Sequence, residues 1–121
     1  MYYPGLAGHP GHAVAAAQMS GFGGMVSFEL EGTPDEAARF ASSRTFFALA
    51  ESLGSVRALI SVPGLMTHAS IPADIRRAMG ISETLIRLSP GIEHARDLVA
   101  DLVSGLDALA PVAAGRAHAA C

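Results

Sequence analysis

The strand-like runs of this chain are short, and each stops at a glycine or a Pro-Gly pair. Residues 25–32, "MVSFELEG", alternate. Val26, Phe28 and Leu30 fall on one face and Ser27, Glu29 and Glu31 on the other, the pattern of a half-buried strand. "TFFALAESLGS" (45–55) is aromatic and apolar and reads as a second strand, stopped by its glycine. "VRALISV" (56–62) carries β-branched residues and ends at Pro63-Gly64, which makes it a third. "ETLIRLS" (83–89), broken by Pro90-Gly91, is the fourth. Strands this short need pairing partners and a cover on at least one face.

The segments between them supply the cover. Residues 9–20 read as an alanine-rich helix, broken by "GFGG" at 21–24. "GTPDEAARF" has Thr33 as an N-cap, Pro34 in the first helical position and Glu36 closing a capping box, so a helix runs to about Ser43. Residues 72–79 start with proline and precede a glycine, as a short helix does. A last helix spans about 93–109, with Leu98, Leu102, Leu106 and Leu109 as its apolar stripe and Asp97, Asp101 and Asp107 in water. The expected fold is α+β, a small antiparallel sheet of about four strands with helices packed on one face. Residues 1–110 form this domain, and 111–121 are expected to be a disordered tail.

Composition narrows the function classes. Half of the 121 residues are hydrophobic, only 16% are charged and mean hydropathy is +0.37, so some apolar surface is expected to meet another chain or domain. The net charge of −3 is spread along the chain with no basic patch, which argues against a nucleic-acid partner. No apolar run approaches the ~18 residues of a membrane span, so no membrane partner is expected. "MYYPGLAGHPGH" lacks the basic start and apolar centre of a signal peptide, and the single cysteine, Cys121, allows no intrachain disulfide. A cytoplasmic location is the expectation. All 8 basic residues are arginines, so the chain offers no lysine for a Schiff base.

One cation stands out. Arg87 interrupts the apolar run of "LIRLS", and a guanidinium there needs an anion beside it. Either Glu51, Glu29 or Glu93 supplies it as an internal ion pair, or a ligand carboxylate binds the fork through two parallel hydrogen bonds. Ser52, in "AESLGS", is either a turn hydroxyl bonded to its own backbone or a donor to such a ligand. Glu51 is either exposed strand surface or a selector of ligand charge. Thr67, His68 and Ser70 sit in the irregular stretch "GLMTHASIP", where loop capping competes with a place in a site. His9 and His12 have i, i+3 spacing without a third metal ligand nearby, and no metal site is expected.

Four segments follow one another in order, "YPGLAGHPGHAVAAAQMSGFGGMVSFELEG", "LAESLGSVRALISVPGLMTHASIP", "RRAMGIS" and "LIRLSPGIEHARDLVADL", and carry a resemblance that covers about residues 2–109. They resemble the C-terminal, small domain of the Cys/Met metabolism enzymes that depend on pyridoxal phosphate. That family includes cystathionine gamma-synthase, cystathionine gamma-lyase, methionine gamma-lyase and the O-acylhomoserine sulfhydrylases. The resemblance implies the small domain of the aspartate-aminotransferase-type fold. It implies that Arg87 clamps the α-carboxylate of an amino-acid substrate, with Ser52 as a supporting contact, Glu51 acting on side-chain specificity and Thr67 nearby.

It also implies a partial trans-sulfuration enzyme, serving γ-elimination or γ-replacement once joined to a large domain that binds pyridoxal 5'-phosphate. That large domain, or homologous full-length subunits, is the expected partner. The cofactor lysine, the phosphate-binding loop and the ring that stacks on the cofactor belong to the large domain, which is expected to be absent here. No cofactor is then bound covalently by this chain, and the chain alone is expected to be inactive. The alternative is a non-catalytic interaction domain or a decaying gene fragment. Two departures from the family pattern stand out. Pro90 replaces an aliphatic residue and removes a backbone donor, which puts local strand pairing in doubt. Ser55 replaces a frequent glycine.

Overall fold

The computed structural model describes residues 1–109, so the tail expected at 111–121 lies outside the described residues. In chain order the elements are α1 (His12–Gln18), β1 (Val26–Glu29), α2 (Pro34–Ser42), β2 (Ala48–Leu49), β3 (Leu59–Ser61), α3 (Ala73–Ala78), β4 (Leu85–Ser89) and α4 (Ala95–Asp107). The strands form one sheet in the order β1-β4-β3-β2. β4 is antiparallel to both of its neighbours, with Ser27 and Ser61 opposite Arg87 on either side. β2 is parallel to β3, so the sheet is mixed and not antiparallel throughout.

The parallel pair follows from what happens on either side of β2. The 45–55 run was expected to be one strand, yet only Ala48–Leu49 pairs. Ahead of it, the backbone N–H groups of Thr45 and Phe46 donate to the Asp101 carboxylate at 2.8 Å each, and that of Phe47 at 3.3 Å. Donors held by a side chain cannot join a ladder. Beyond β2 the chain makes a wide loop over 50–58, exposed at 51–57, before β3 begins, and the glycine turn at Gly54 (φ +73°) closes no hairpin. Pro90 falls just past β4, and the pairing of Leu59 with Ser89 holds to the end of the strand.

The core lies on one face of the sheet. Ile60, Val62, Ile86 and Leu88 meet Ala37, Phe40 and Ala41 of α2 and Leu98 of α4, with Val26, Phe28 and Leu102 packed against them. Two of the four helices among the described residues thus cover this face. α1 and α3 contribute nothing to the cluster. The expected faces of β1 hold, and Phe28 meets Phe40 edge to face at 6.2 Å.

The stripe of α4 is rotated from the expected one. Its buried residues are Leu98, Asp101 and Gly105, while Leu106 is 44% exposed. Asp101, expected in water, is buried because its carboxylate receives the three amides of 45–47 and pairs with Arg44 at 3.6 Å.

α2 begins where the capping box puts it. The Glu36 amide donates to Thr33 Oγ1 at 3.3 Å, and the Thr33 amide donates to Glu36 Oε2 at 2.7 Å. Replacing Thr33 by alanine leaves one of these first-turn donors without its acceptor. Thermal or urea denaturation of Thr33→Ala is expected to show a loss of about 1 kcal/mol.

Candidate functional site

Alternation along β4 puts Ile86 and Leu88 into the core and Arg87 on the opposite face, half-buried. Directly opposite residues of paired strands share a face, so Arg87 sits in a row between Ser27 and Ser61. No carboxylate pairs with it among the described residues, where the ion pairs are Arg44–Asp101 and Arg76–Glu83, each at 3.6 Å. The candidate internal partners are placed elsewhere. Glu29 lies opposite Leu85, Glu51 is exposed, and Glu93 Oε1 accepts the Ala58 amide at 2.8 Å. Among the described residues the one acceptor for the guanidinium is the Ser52 carbonyl, 3.3 Å from Nη2. A guanidinium presents five donors, so most of the fork is unmet among the described residues.

Arg87 and Ser52 are therefore brought together, and Glu51 adjoins them on the same exposed segment. Thr67 is not joined to them by any hydrogen bond among the described residues. Its Oγ1 lies 2.8 Å from His68 Nδ1, in the turns that follow β3. Those turns are organised by Arg76 of α3, a residue the sequence did not single out. Its buried guanidinium donates to the carbonyls of His68 at 3.4 Å, Ala69 at 3.5 Å and also Ile71. The only sequence signal for it is an arginine one short helix beyond an irregular stretch. Ser61 likewise carries no distinguishing sequence signal. It is 1% exposed, shares the row of Arg87, and its hydroxyl has no hydrogen-bond partner among the described residues.

The Glu93 carboxyl is held below its ordinary range, first by the hydrogen bond from the Ala58 amide, then by its own backbone N–H and the charge of Arg57. His9 Nδ1 accepts the Gly11 amide at 3.0 Å, and the ring of His12 stacks on Phe22 at 5.2 Å. Among the described residues no three His, Cys, Asp or Glu side chains gather as metal ligands, and no helix is long and apolar enough to cross a membrane.

A strand-borne arginine whose fork meets one backbone carbonyl among the described residues has donors left over for an anionic group. The chain belongs to the Cys/Met metabolism enzymes that depend on pyridoxal phosphate, whose family model matches residues 1–107. Among its relatives, cystathionine gamma-lyase of Dictyostelium discoideum is 53% identical over 105 residues, covering 87% of this chain and 27% of that protein. Cystathionine gamma-synthase of Escherichia coli is 50% identical over 108 residues, covering 89% of this chain and 28% of its own length. The solved structure of cystathionine gamma-synthase from Xanthomonas oryzae in complex with cystathionine superposes with a TM-score of 0.81 at 56% identity, over 88% of this chain and 27% of that one. Yeast cystathionine gamma-lyase gives a TM-score of 0.83 at 44% identity, over 87% and 27%. The chain thus spans little more than a quarter of the proteins it matches.

The family's cofactor does not fit this chain alone. Attachment through a Schiff base needs a lysine, and none is present.

Proposed function

We propose that this chain is the small-domain part of a trans-sulfuration enzyme, and that it supplies the site for the α-carboxylate of the amino-acid substrate. The observation that carries this reading is Arg87, whose fork meets only the Ser52 carbonyl among the described residues. Two parallel N–H···O bonds to a carboxylate would complete it. Ser52 supports the same group, Glu51 biases which side chain is accepted, and Thr67 lies at the periphery. Bound pyridoxal phosphate would supply the electron sink for elimination or replacement at the γ-carbon, from residues outside this chain. What this chain's residues do is bind and orient. A carboxylate fixed at one end sets the direction of the remainder of the substrate, which converts a bimolecular encounter into a positioned one.

The partner in this reading is the remainder of the family fold, and the exposed apolar side chains support it. Ile92 is 83% exposed, Val56 70%, Val99 58% and Leu53 56%. Alone, with its N-terminal amine blocked, the chain is expected to keep no visible absorbance band from pyridoxal phosphate after gel filtration. It is also expected to scatter light as a self-associated species. Co-expression with the complementary part of a related enzyme should yield a soluble, cofactor-bearing complex with a raised melting temperature, since a partner that binds only the folded form stabilises it. A monodisperse monomer that melts cooperatively and ignores the complement would instead establish an independent interaction module.

A further inference from the structure

The segment "RLSPGIE" meets the backbone of one loop, 52–58, at successive points along its length. Arg87 Nη2 donates to the Ser52 carbonyl at 3.3 Å. Ser89 Oγ accepts the Gly54 amide at 2.9 Å. The Ile92 amide donates to the Val56 carbonyl at 2.8 Å. Glu93 Oε1 accepts the Ala58 amide at 2.8 Å. Positions 87, 89, 92 and 93 thus hold positions 52, 54, 56 and 58. Gly91 lets the two segments close on one another, because a Cβ there would collide with the Val56 carbonyl and the Glu93 carboxylate. Gly54 turns the loop in the left-handed region at φ +73°.

Ala58, at the end of this loop, is buried and its carbonyl accepts the Ala48 amide at 2.9 Å, but residues 51–57 have little else to order them. Residues 51–57 are all exposed, and the loop joins the parallel strands β2 and β3 without a ladder of its own. Fixing such a backbone opposes a large conformational entropy. A carboxylate acceptor is among the stronger tethers available to an amide. Ser89 is 3% exposed, so its hydroxyl meets the loop from a rigid strand and not from another mobile element.

We propose that Ser89 and Glu93 are positioning residues of the carboxylate site. This rests on the reading of Arg87 given above. Neither residue touches the ligand. They hold the loop that presents Ser52 and Glu51, so that its hydroxyl stays in register with the Arg87 fork. The segment that carries the cation therefore also builds the second wall of the site. A shift of the loop by about 1 Å is enough to cost substantial binding in a positioned site.

The test uses the full chain in complex with the complementary part of the fold, with L-serine as the probe and L-serinamide as its carboxylate-free counterpart. Glu93→Ala and Ser89→Ala are expected to speed hydrogen exchange at the Gly54 and Ala58 amides. They should also weaken L-serine binding by about tenfold or more, with L-serinamide binding unmoved. Glu93→Gln, which keeps an acceptor for the Ala58 amide, should recover most of that loss. Should Glu93→Ala fail to fold, Ser89→Ala is read in the same way. L-serine affinity that stays constant while these amides exchange freely overturns the proposal, and so do amides that stay protected in both variants. Arg87→Ala separates the two claims. If that variant still prefers L-serine over L-serinamide, the carboxylate reading fails, whereas freed amides in Glu93→Ala would still show the tether.

Discussion

In the assembled enzyme, Arg87→Ala is expected to lower affinity for the amino-acid substrate by about 2–5 kcal/mol, roughly thirtyfold at the least. The size follows from what is removed. A guanidinium–carboxylate pair with two parallel hydrogen bonds is charge-assisted, and its loss leaves the ligand carboxylate facing Ser27, Ser61 and the loop at Ser52 without a counter-charge. Arg87→Lys should also be impaired, because an ammonium is a point charge and cannot reproduce the planar fork. Fold stability should barely change in either variant. Arg87 forms no ion pair among the described residues and lies outside the buried cluster. Steady-state kinetics and a thermal melt on the same preparations test both halves. Wild-type kinetics in Arg87→Ala would remove this residue from the site.

Much of this candidate site is legible because Arg87 breaks a pattern. On a strand with alternating apolar neighbours, a lone cation is visible at once, and the period of two fixes the face it points to. β1 was readable for the same reason, and α2 because its capping box is written in three residues. What stayed hidden depends on partners far away in sequence. Ser89 and Glu93 look like an ordinary strand-end serine and a helix-entry glutamate, and the amides they accept, those of Gly54 and Ala58, lie 35 residues away. The sequence pattern overextends β2 for a related reason. "TFFALAESLG" has the composition of a strand, but the amides on one side of Ala48–Leu49 go to Asp101 and the loop on the other side is tied by β4 and Glu93. Composition reports the tendency to extend, not which acceptor the backbone finds. The parallel pairing of β2 with β3 is the consequence.

Asp101 carries the largest expected effect on stability. Its carboxylate accepts three consecutive amides, from Thr45, Phe46 and Phe47, and stands 3.6 Å from Arg44. Arg44 is itself well buried, with a side chain 5% exposed, and its guanidinium lies 4.8 Å from the centre of the Phe40 ring. Asp101→Ala strands this cation and three donors at once. Contacts to the Phe40 carbonyl and the Asp101 backbone carbonyl remain for Arg44, so the loss should be about 3 kcal/mol and not the upper end for a broken buried pair. Asp101→Asn should fall between, because its amide nitrogen would face donors.

Acid titration separates charge from shape. Burial pushes the Asp101 carboxyl up, but the hydrogen bonds from Thr45, Phe46 and Phe47 and the charge of Arg44 outweigh it, leaving it below its ordinary value. A group depressed in the folded state stabilises fully above its unfolded value, near pH 4, and loses that contribution as pH falls through the folded one. The stability gap between the native chain and Asp101→Asn should therefore be constant at neutral pH and narrow below about pH 4. A gap that persists unchanged into strong acid would mean that the carboxylate charge contributes nothing, and that Asp101 holds the 45–47 turn by shape alone.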